Sequence, residues 1–318
     1  MQSFILAGGF ATRLWPLTER RAKPLLPLAG KPILTHIVEQ IPSEIPVTVS
    51  TNAVFEESFH TWKKSITRSN ITIRIEQTRS DREKLGALGA VAEWLEQEKI
   101  HDDVLLLTGD NYFGFSLNTF IAQYHSPCSL LAVSDIGDPV RAAQFGIVSV
   151  DADGKTVTGF EEKPAQPKTT LASTGCSILP AGILPEVIAF AKRKPDNVGG
   201  IFEELLRLGQ RVECFRFIEP WFDIGSFESY LEATRVLVGE RVMQDETNKM
   251  QDARCNGSVV IGTGGSVTKS KLTDTVLFDR CMVDNCVLSH CIIDDDCILK
   301  GVDLSGQMLR AGTKLMRE

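Results

Sequence analysis

Through its first two thirds the chain alternates short β-rich apolar runs with stretches of helical spacing, and few architectures accept that alternation. "FILAG" precedes Ile33, Leu34, Ile37, Val38 and Ile41 at helical intervals; "PVTVS" precedes "FEESFHTWKKS"; "ITIRIEQ" precedes "LGALGAVAEWLEQ"; and "DVLLLTGD" reads as a buried strand. Strands joined by crossover helices build a mostly parallel sheet with helices on its faces. Ligands of such sheets bind outside the carboxyl ends of the strands, where Gly8, Gly9, Gly109 and Asp110 fall. The expected fold is therefore α/β with a Rossmann-like, mostly parallel sheet. "FGIVSVDADGKTVTGFEEKP" breaks the rhythm: it predicts a hairpin turning at Asp153 and Gly154, an antiparallel insertion along one edge.

Beyond about Ala253 the texture changes to "VLFDRCMVDNCVLSHCIIDDDCIL", apolar triplets separated by two or three polar residues. Strands this short with tight turns suit the coils of a parallel β-helix, in which each unit buries its apolar row on the next. With 318 residues, two domains are expected: 1–238, then a polar linker 239–253, then a short β-helix of roughly three coils over 254–318. Cys281, Cys286, Cys291 and Cys297 recur there at spacings that fit no common zinc knuckle, so they read as small residues stacked inside the coils. His290 stands alone among them. The tail is assigned to packing and homo-oligomerisation.

Composition narrows the function. A net charge of -7 and a pI near 5.4 argue against nucleic-acid or anionic-membrane binding, which needs an extended positive face. No apolar run approaches the roughly 20 residues of a membrane span, and no basic-then-apolar leader follows Met1, so a cytoplasmic protein with reduced thiols is expected. Against that acidic background, "LAGGFATRLWPLTERRAKPLLPLAGKP" places five cations (Arg13, Arg20, Arg21, Lys23, Lys31) against the single acid Glu19 within nineteen residues. Glycines that let backbone N–H groups approach, next to a forked guanidinium, suit phosphate oxygens. Adjacent glycines match neither G-x-G-x-x-G nor a G-K-[ST] loop, which removes a nicotinamide-dependent oxidoreductase and a P-loop from consideration.

This stretch resembles the signature of the sugar-1-phosphate nucleotidylyltransferases, which runs approximately G-G-x-G-T-R-L-x-P-L-T, four residues, then K-x-L-L-P. "TGD" at 108–110, "FEEKP" at 160–164, "STG" at 173–175 and "WFDIG" at 221–225 resemble the family's later motifs in the same order. The resemblance implies a Rossmann-like catalytic domain, often followed by a left-handed β-helix, and Mg²⁺-dependent attack of a sugar 1-phosphate on a nucleoside triphosphate. The glucose-1-phosphate thymidylyl- or uridylyltransferases are the nearest in flavour, the mannose-1-phosphate guanylyltransferases the alternative, and a non-catalytic sugar-nucleotide-binding relative a further one. By resemblance, Arg13 and Lys23 hold the phosphates; Leu6, Gly8, Gly9, Thr12, Arg13, Gln77 and Gly86 bind the nucleotide; Gly146, Glu162, Lys163 and Gly175 bind the sugar phosphate; and Asp110 and Asp223 ligate Mg²⁺. Arg13, Lys23, Asp110 and Lys163 are the catalytic set.

Each residue also has a plainer role open to it. Asp110 beside Asn111 suits a turn, Asp223 a helix N-cap, Glu162 with Lys163 a solvated charge pair, and Gly146 and Gly175 strand bulges. The chain departs from the family's pattern at Ala11, where a third glycine is usual, at Ala22, where proline is common, and after Gly86, where Ala87 and Leu88 replace Thr-Ala.

Overall fold

The apolar run at the amino terminus forms strand β1 (Gln2–Leu6), with Phe4 and Ile5 fully buried. In a computed structural model that describes residues 1–9, 12–77 and 85–317, it is followed in the same sheet by β2 (Val47–Asn52), β3 (Ile71–Glu76), β4 (Val104–Thr108), β5 (Ser129–Asp135), β6 (Gly146–Val150), β7 (Val157–Glu162), β8 (Leu171–Leu179) and β9 (Val212–Phe217). The order is β7-β6-β8-β4-β1-β2-β3, with β5 pairing both β8 and β9. β3, β2, β1 and β4 run parallel, as the alternation requires, and β8 runs antiparallel to β4. The hairpin turning at Asp153 and Gly154 is present as β6 and β7. Gly154 takes a positive φ of 71°, and the Asp153 carboxylate accepts from the Thr156 N–H at 2.9 Å.

The chain divides into two compact units, Met1–Gly9 with His36–Trp221, and Phe10–Thr35 with Phe222–Glu318. The first holds the sheet. Its core joins Phe4 and Val104 to Leu88, Val91, Trp94 and Leu95 on one side of the helix Ala87–Gln97, and Phe4 meets Trp94 at 4.7 Å between ring centroids.

The second unit does not follow the boundaries expected from sequence. The cationic segment belongs to it, as two 3-10 turns (Thr12–Leu14, Lys23–Leu25) and a small antiparallel pair, Pro27–Leu28 with Lys31–Pro32. The helix Phe227–Val238 packs on that pair: it starts at a capping box made by Ser226 and Ser229, and its buried Tyr230 donates to the Pro27 carbonyl. The β-helix follows directly, as three parallel sheets of five, five and four strands. The segment read as a linker carries its first strands, Val242–Gln244 and Lys249–Gln251. Successive coils pair Val276 with Ile292 and Met282 with Ile298, an advance of sixteen residues, which the cysteine spacing of 5, 5 and 6 matches. Cys281, Cys286, Cys291 and Cys297 lie buried in its core with Val283, Leu288 and Leu299. No described helix is long and apolar enough to cross a membrane.

Candidate active site

In the sheet unit the motif residues collect at the carboxyl ends of the parallel strands. Where β1 ends, the Leu6 carbonyl accepts from the Gly109 N–H at 2.8 Å, and a side chain at Gly109 would meet that carbonyl at 2.9 Å. Glycine at 109 thus lets the chain after β4 turn against the chain after β1. Two residues on, Asn111 organises a small network: its amide nitrogen donates to Asp110 Oδ1 at 2.9 Å and to Thr108 Oγ1 at 2.8 Å, and its oxygen accepts from the Trp221 indole at 2.8 Å. Gly175 completes it. It sits at φ 75° where the β8 register shifts between Ser173 and Ser177, and a Cβ there would lie 2.4 Å from Thr108 Oγ1.

A second cluster lies on β6 and β7, where Gly146 pairs with Glu162. The Glu162 carboxylate fills the space that side chains at two glycines would occupy, 3.1 Å from a Cβ at Gly146 and 2.1 Å from one at Gly199. Burial raises its pKa above the ordinary value, and the neighbouring Lys163 opposes the shift. Lys163 holds a positive φ of 46°, its N–H donates to the Phe145 carbonyl at 3.0 Å, and its ammonium is exposed, 3.9 Å from Glu162. The Phe145 ring meets Trp221 at 5.1 Å. A continuous set of contacts therefore runs from Asp110 through Asn111, Trp221 and Phe145 to Lys163.

Gly8 faces a side chain the sequence reading passed over. A Cβ there would lie 3.0 Å from Glu76 Oε1, while Asn52 donates to the Gly8 carbonyl at 2.9 Å. Glu76 is buried at the end of β3 and accepts from the Ser50 hydroxyl at 2.7 Å. Desolvation raises its pKa; the Ser50 bond lowers it, Glu93 raises it and Arg74 lowers it. Gln77, the expected base contact, is exposed. Gly86, at φ 80°, has a local reason to be glycine: a Cβ would strike the Pro195 carbonyl at 2.4 Å, and that carbonyl accepts from the N–H groups of Leu88 and Gly89 at the start of the helix Ala87–Gln97. Among the described residues nothing lies within 4 Å of a Cβ placed at Gly9. Ala11 and the polar insert 78–84 lie outside the described residues, as does the side chain of Thr12.

In the second unit, residues far apart in sequence converge. Lys23 is buried, with its Nζ 3.4 Å from Asp223 Oδ1. Gly225 leaves room for Arg13: an added Cβ would lie 3.2 Å from its Nη2 and 3.6 Å from Asp223 Oδ1. Arg13, Lys23 and Asp223 thus form one charge cluster. Ala22 before Lys23 keeps φ -62°, the value a proline imposes, so the departure there costs no change of backbone. Of the other cations, Arg21 is engaged by Asp294 and Asp295.

Asn111, Gly199 and Glu76 are the site neighbours the sequence reading missed, while Trp221 and Gly225 lie within the quoted motif at 221–225 but had no role assigned. Asn111 follows a recognised motif, and Gly199 belongs to the pair "GG" at 199–200. Glu76 had no signal beyond its place at a strand end.

Comparison with known proteins identifies the family. The chain is 27% identical over 295 residues to glucose-1-phosphate thymidylyltransferase of Streptomyces antibioticus, covering 86% of this chain and 76% of that one. It is 30% identical over 260 residues to glucose-1-phosphate adenylyltransferase of Thermotoga maritima, covering 74% of this chain and 60% of that one. A solved chain from Bacillus anthracis, described as a glucose-1-phosphate thymidylyltransferase in complex with a sucrose, shares the fold at a TM-score of 0.64 and 21% identity, over 73% of this chain and 93% of that one. The family described as nucleotidyl transferase matches residues 2–239, well over half of the sequence, and the chain belongs to that family.

Proposed function

We propose that the protein transfers a nucleoside monophosphate from a nucleoside triphosphate to a sugar 1-phosphate, with glucose 1-phosphate and dTTP or UTP as substrates. An oxygen of the sugar phosphate attacks the α-phosphorus, the bond to the β-phosphate oxygen breaks, and pyrophosphate leaves. The observation that carries the reading is the meeting of Arg13, Lys23 and Asp223, which the fold draws together from opposite ends of the catalytic sequence. Such a reaction has to overcome mutual repulsion: two unit charges about 4 Å apart interact by about 4 kcal/mol at an effective dielectric near 20, and each reactant carries several. Arg13 and Lys23 offset that charge on the triphosphate and on the departing pyrophosphate. Lys163, exposed at the end of β7, pairs with the sugar phosphate, and Glu162, held among glycines, accepts from sugar hydroxyls.

The donor set also fits Mg²⁺. Among the described residues no three His, Cys, Asp or Glu side chains form a cage, and Mg²⁺ is ordinarily held by one or two carboxylates plus substrate phosphates. Asp110 and Asp223 are the carboxylates proposed to hold it. The Asn111 amide already orients Asp110. Bound there, the ion supplies charge neutralisation at the phosphates.

Glu76 favours a second reading of the base. A carboxylate beside Gly8 matches the N1–H and N2–H edge of guanine, whereas thymine and uracil present carbonyls on both sides of a single N–H. A matrix of nucleoside triphosphates against sugar 1-phosphates, read by pyrophosphate release, separates the two. A GTP row that collapses in Glu76→Gln supports guanine, and a dTTP or UTP row unaffected by that change supports the pyrimidine reading. Asp110→Asn is expected to remove at least about 99% of turnover in whichever row is active. An undiminished Asp110→Asn would end the metal assignment, and release in no row would end the transferase reading.

A further inference from the structure

We infer that the last coils of the β-helix are a positioning element for the cationic segment, acting through two side-chain clamps; the inference rests on the nucleotidyl transfer proposed above. The first clamp is Arg21. One of its terminal nitrogens donates to Asp295 Oδ2 at 2.5 Å, the other lies 3.8 Å from Asp294 Oδ1, and the guanidinium stacks 5.4 Å over the Phe278 ring. Both acids are themselves fixed. Asp295 Oδ1 accepts from the Asp279 N–H of the preceding coil at 3.0 Å, and Asp294 Oδ1 accepts from the Asp295 N–H at 2.8 Å. Asp294 is buried, which raises its pKa, and Arg21 is the cation opposing that shift.

The second clamp is Arg310, between the strands Met308–Leu309 and Lys314–Met316. Its Nε donates to Glu19 Oε2 at 3.0 Å and its guanidinium lies 5.2 Å over the Trp15 ring. Trp15, Glu19 and Arg21 are thus held by the tail, and Pro27 is held by Tyr230 of the helix that leads into it. Arg13 lies two residues before the first of these anchors, and Lys23 two residues after the third. The more exposed pair, Arg310 with Glu19, does little for stability. Geometry is where the clamps count, because a displacement of about 1 Å in a reacting constellation costs about 100-fold in rate. The sequence reading confined the tail to packing and assembly; the clamps give it a direct hold on the phosphate-binding segment.

The test uses the full chain, with Asp295→Asn combined with Arg310→Ala, and Arg310→Ala alone in case the double variant fails to fold. Hydrogen exchange of the amides in 12–32 reads the clamp without any substrate, and steady-state kinetics with the active pair reads its consequence. Faster exchange in that segment is expected, with kcat lowered about 10- to 100-fold and the melting temperature little changed. The swap Glu19→Arg with Arg310→Glu is expected to recover most of what either single change loses. Unchanged exchange overturns the clamp, and so does a swap no better than its singles. Faster exchange with undiminished kcat overturns its role in turnover. A wild-type protein inactive with every substrate pair, yet showing the exchange response, would sink the transferase reading and leave the clamp standing.

Discussion

Gly175→Ala is the perturbation whose cost follows most directly from geometry. The new methyl faces two separable penalties. Holding an alanine at φ 75° costs about 1–2 kcal/mol, the price of a Cβ close to the carbonyl oxygen in left-handed backbone. Placing that Cβ 2.4 Å from Thr108 Oγ1 and 2.9 Å from its Cγ2 forces one of them to move, and overpacking of this kind costs about 1–3 kcal/mol. Together these give about 2–5 kcal/mol, which lowers the melting temperature by on the order of 10 °C for a unit of this size. Thr108→Ala separates the parts. Alone it loses the bond from Asn111, about 1 kcal/mol. Combined with Gly175→Ala it removes the clashing atoms while leaving a Cβ contact of 3.2 Å and the positive φ. Urea unfolding of the wild type, both singles and the double should therefore return an interaction energy of about 1–3 kcal/mol in favour of the double. Strict additivity would show that Thr108 is not what excludes a side chain at 175, and the network reaching Asp110 would lose one of its supports.

Two further outcomes follow from groups near the same site. Glu76 keeps its proton more tightly folded than unfolded, because burial raises its pKa above 4.5; its contribution to stability is complete below that value and lost as pH rises through the folded one. Glu76→Gln should flatten the decline of the urea midpoint between about pH 4 and about pH 7, and an unchanged slope would mean that the carboxyl is not desolvated. Arg68 donates to the carbonyls of Val38, Ile41, Pro42 and Ile45 and to Asn70 Oδ1, tying up the chain that leaves the helix Ile33–Gln40. Lysine cannot reproduce that fork, so Arg68→Lys is expected to lose about 2–4 kcal/mol; a loss under about 0.5 kcal/mol would show that the bonds are not what holds the segment.

What could be read from sequence, and what could not, divides along physical lines. The parallel strands were legible because β1 and β4 are buried on both faces and so are almost continuously apolar. The first β-helix coil was not: Val242–Gln244 and Lys249–Gln251 are largely exposed, as the end of a stack is, and Val242, Met243 and Met250 are too few to mark an apolar row. The motif residues stood out in the sequence, yet their supports did not. Gly199 is glycine because of a carboxylate on a different strand, and Glu76 turns inward on a strand whose burial does not alternate. Arg21 was counted among the cations of that segment with no partner assigned, because the acids that claim it lie more than 270 residues away.

The cluster in the second unit shows how charge is stored for use. A buried ammonium costs several kcal/mol unless paired, and Lys23, 7% exposed, has Asp223 at 3.4 Å. Stability alone does not explain the arrangement, because a buried ion pair replaced by apolar residues of similar volume is often as stable or more so. The absence of a side chain at Gly225 leaves room for Arg13 beside that carboxylate. In the transfer proposed above, a phosphate oxygen would meet donors whose desolvation was already met when the chain folded, so little reorganisation would remain when the triphosphate binds. On this view Asp223 has two tasks at one position. It lies 3.4 Å from the Lys23 ammonium, and in the reading proposed above it would offer hard oxygens to a cation once phosphate brings one. That double use explains why an acid stands among the cations of an anion site.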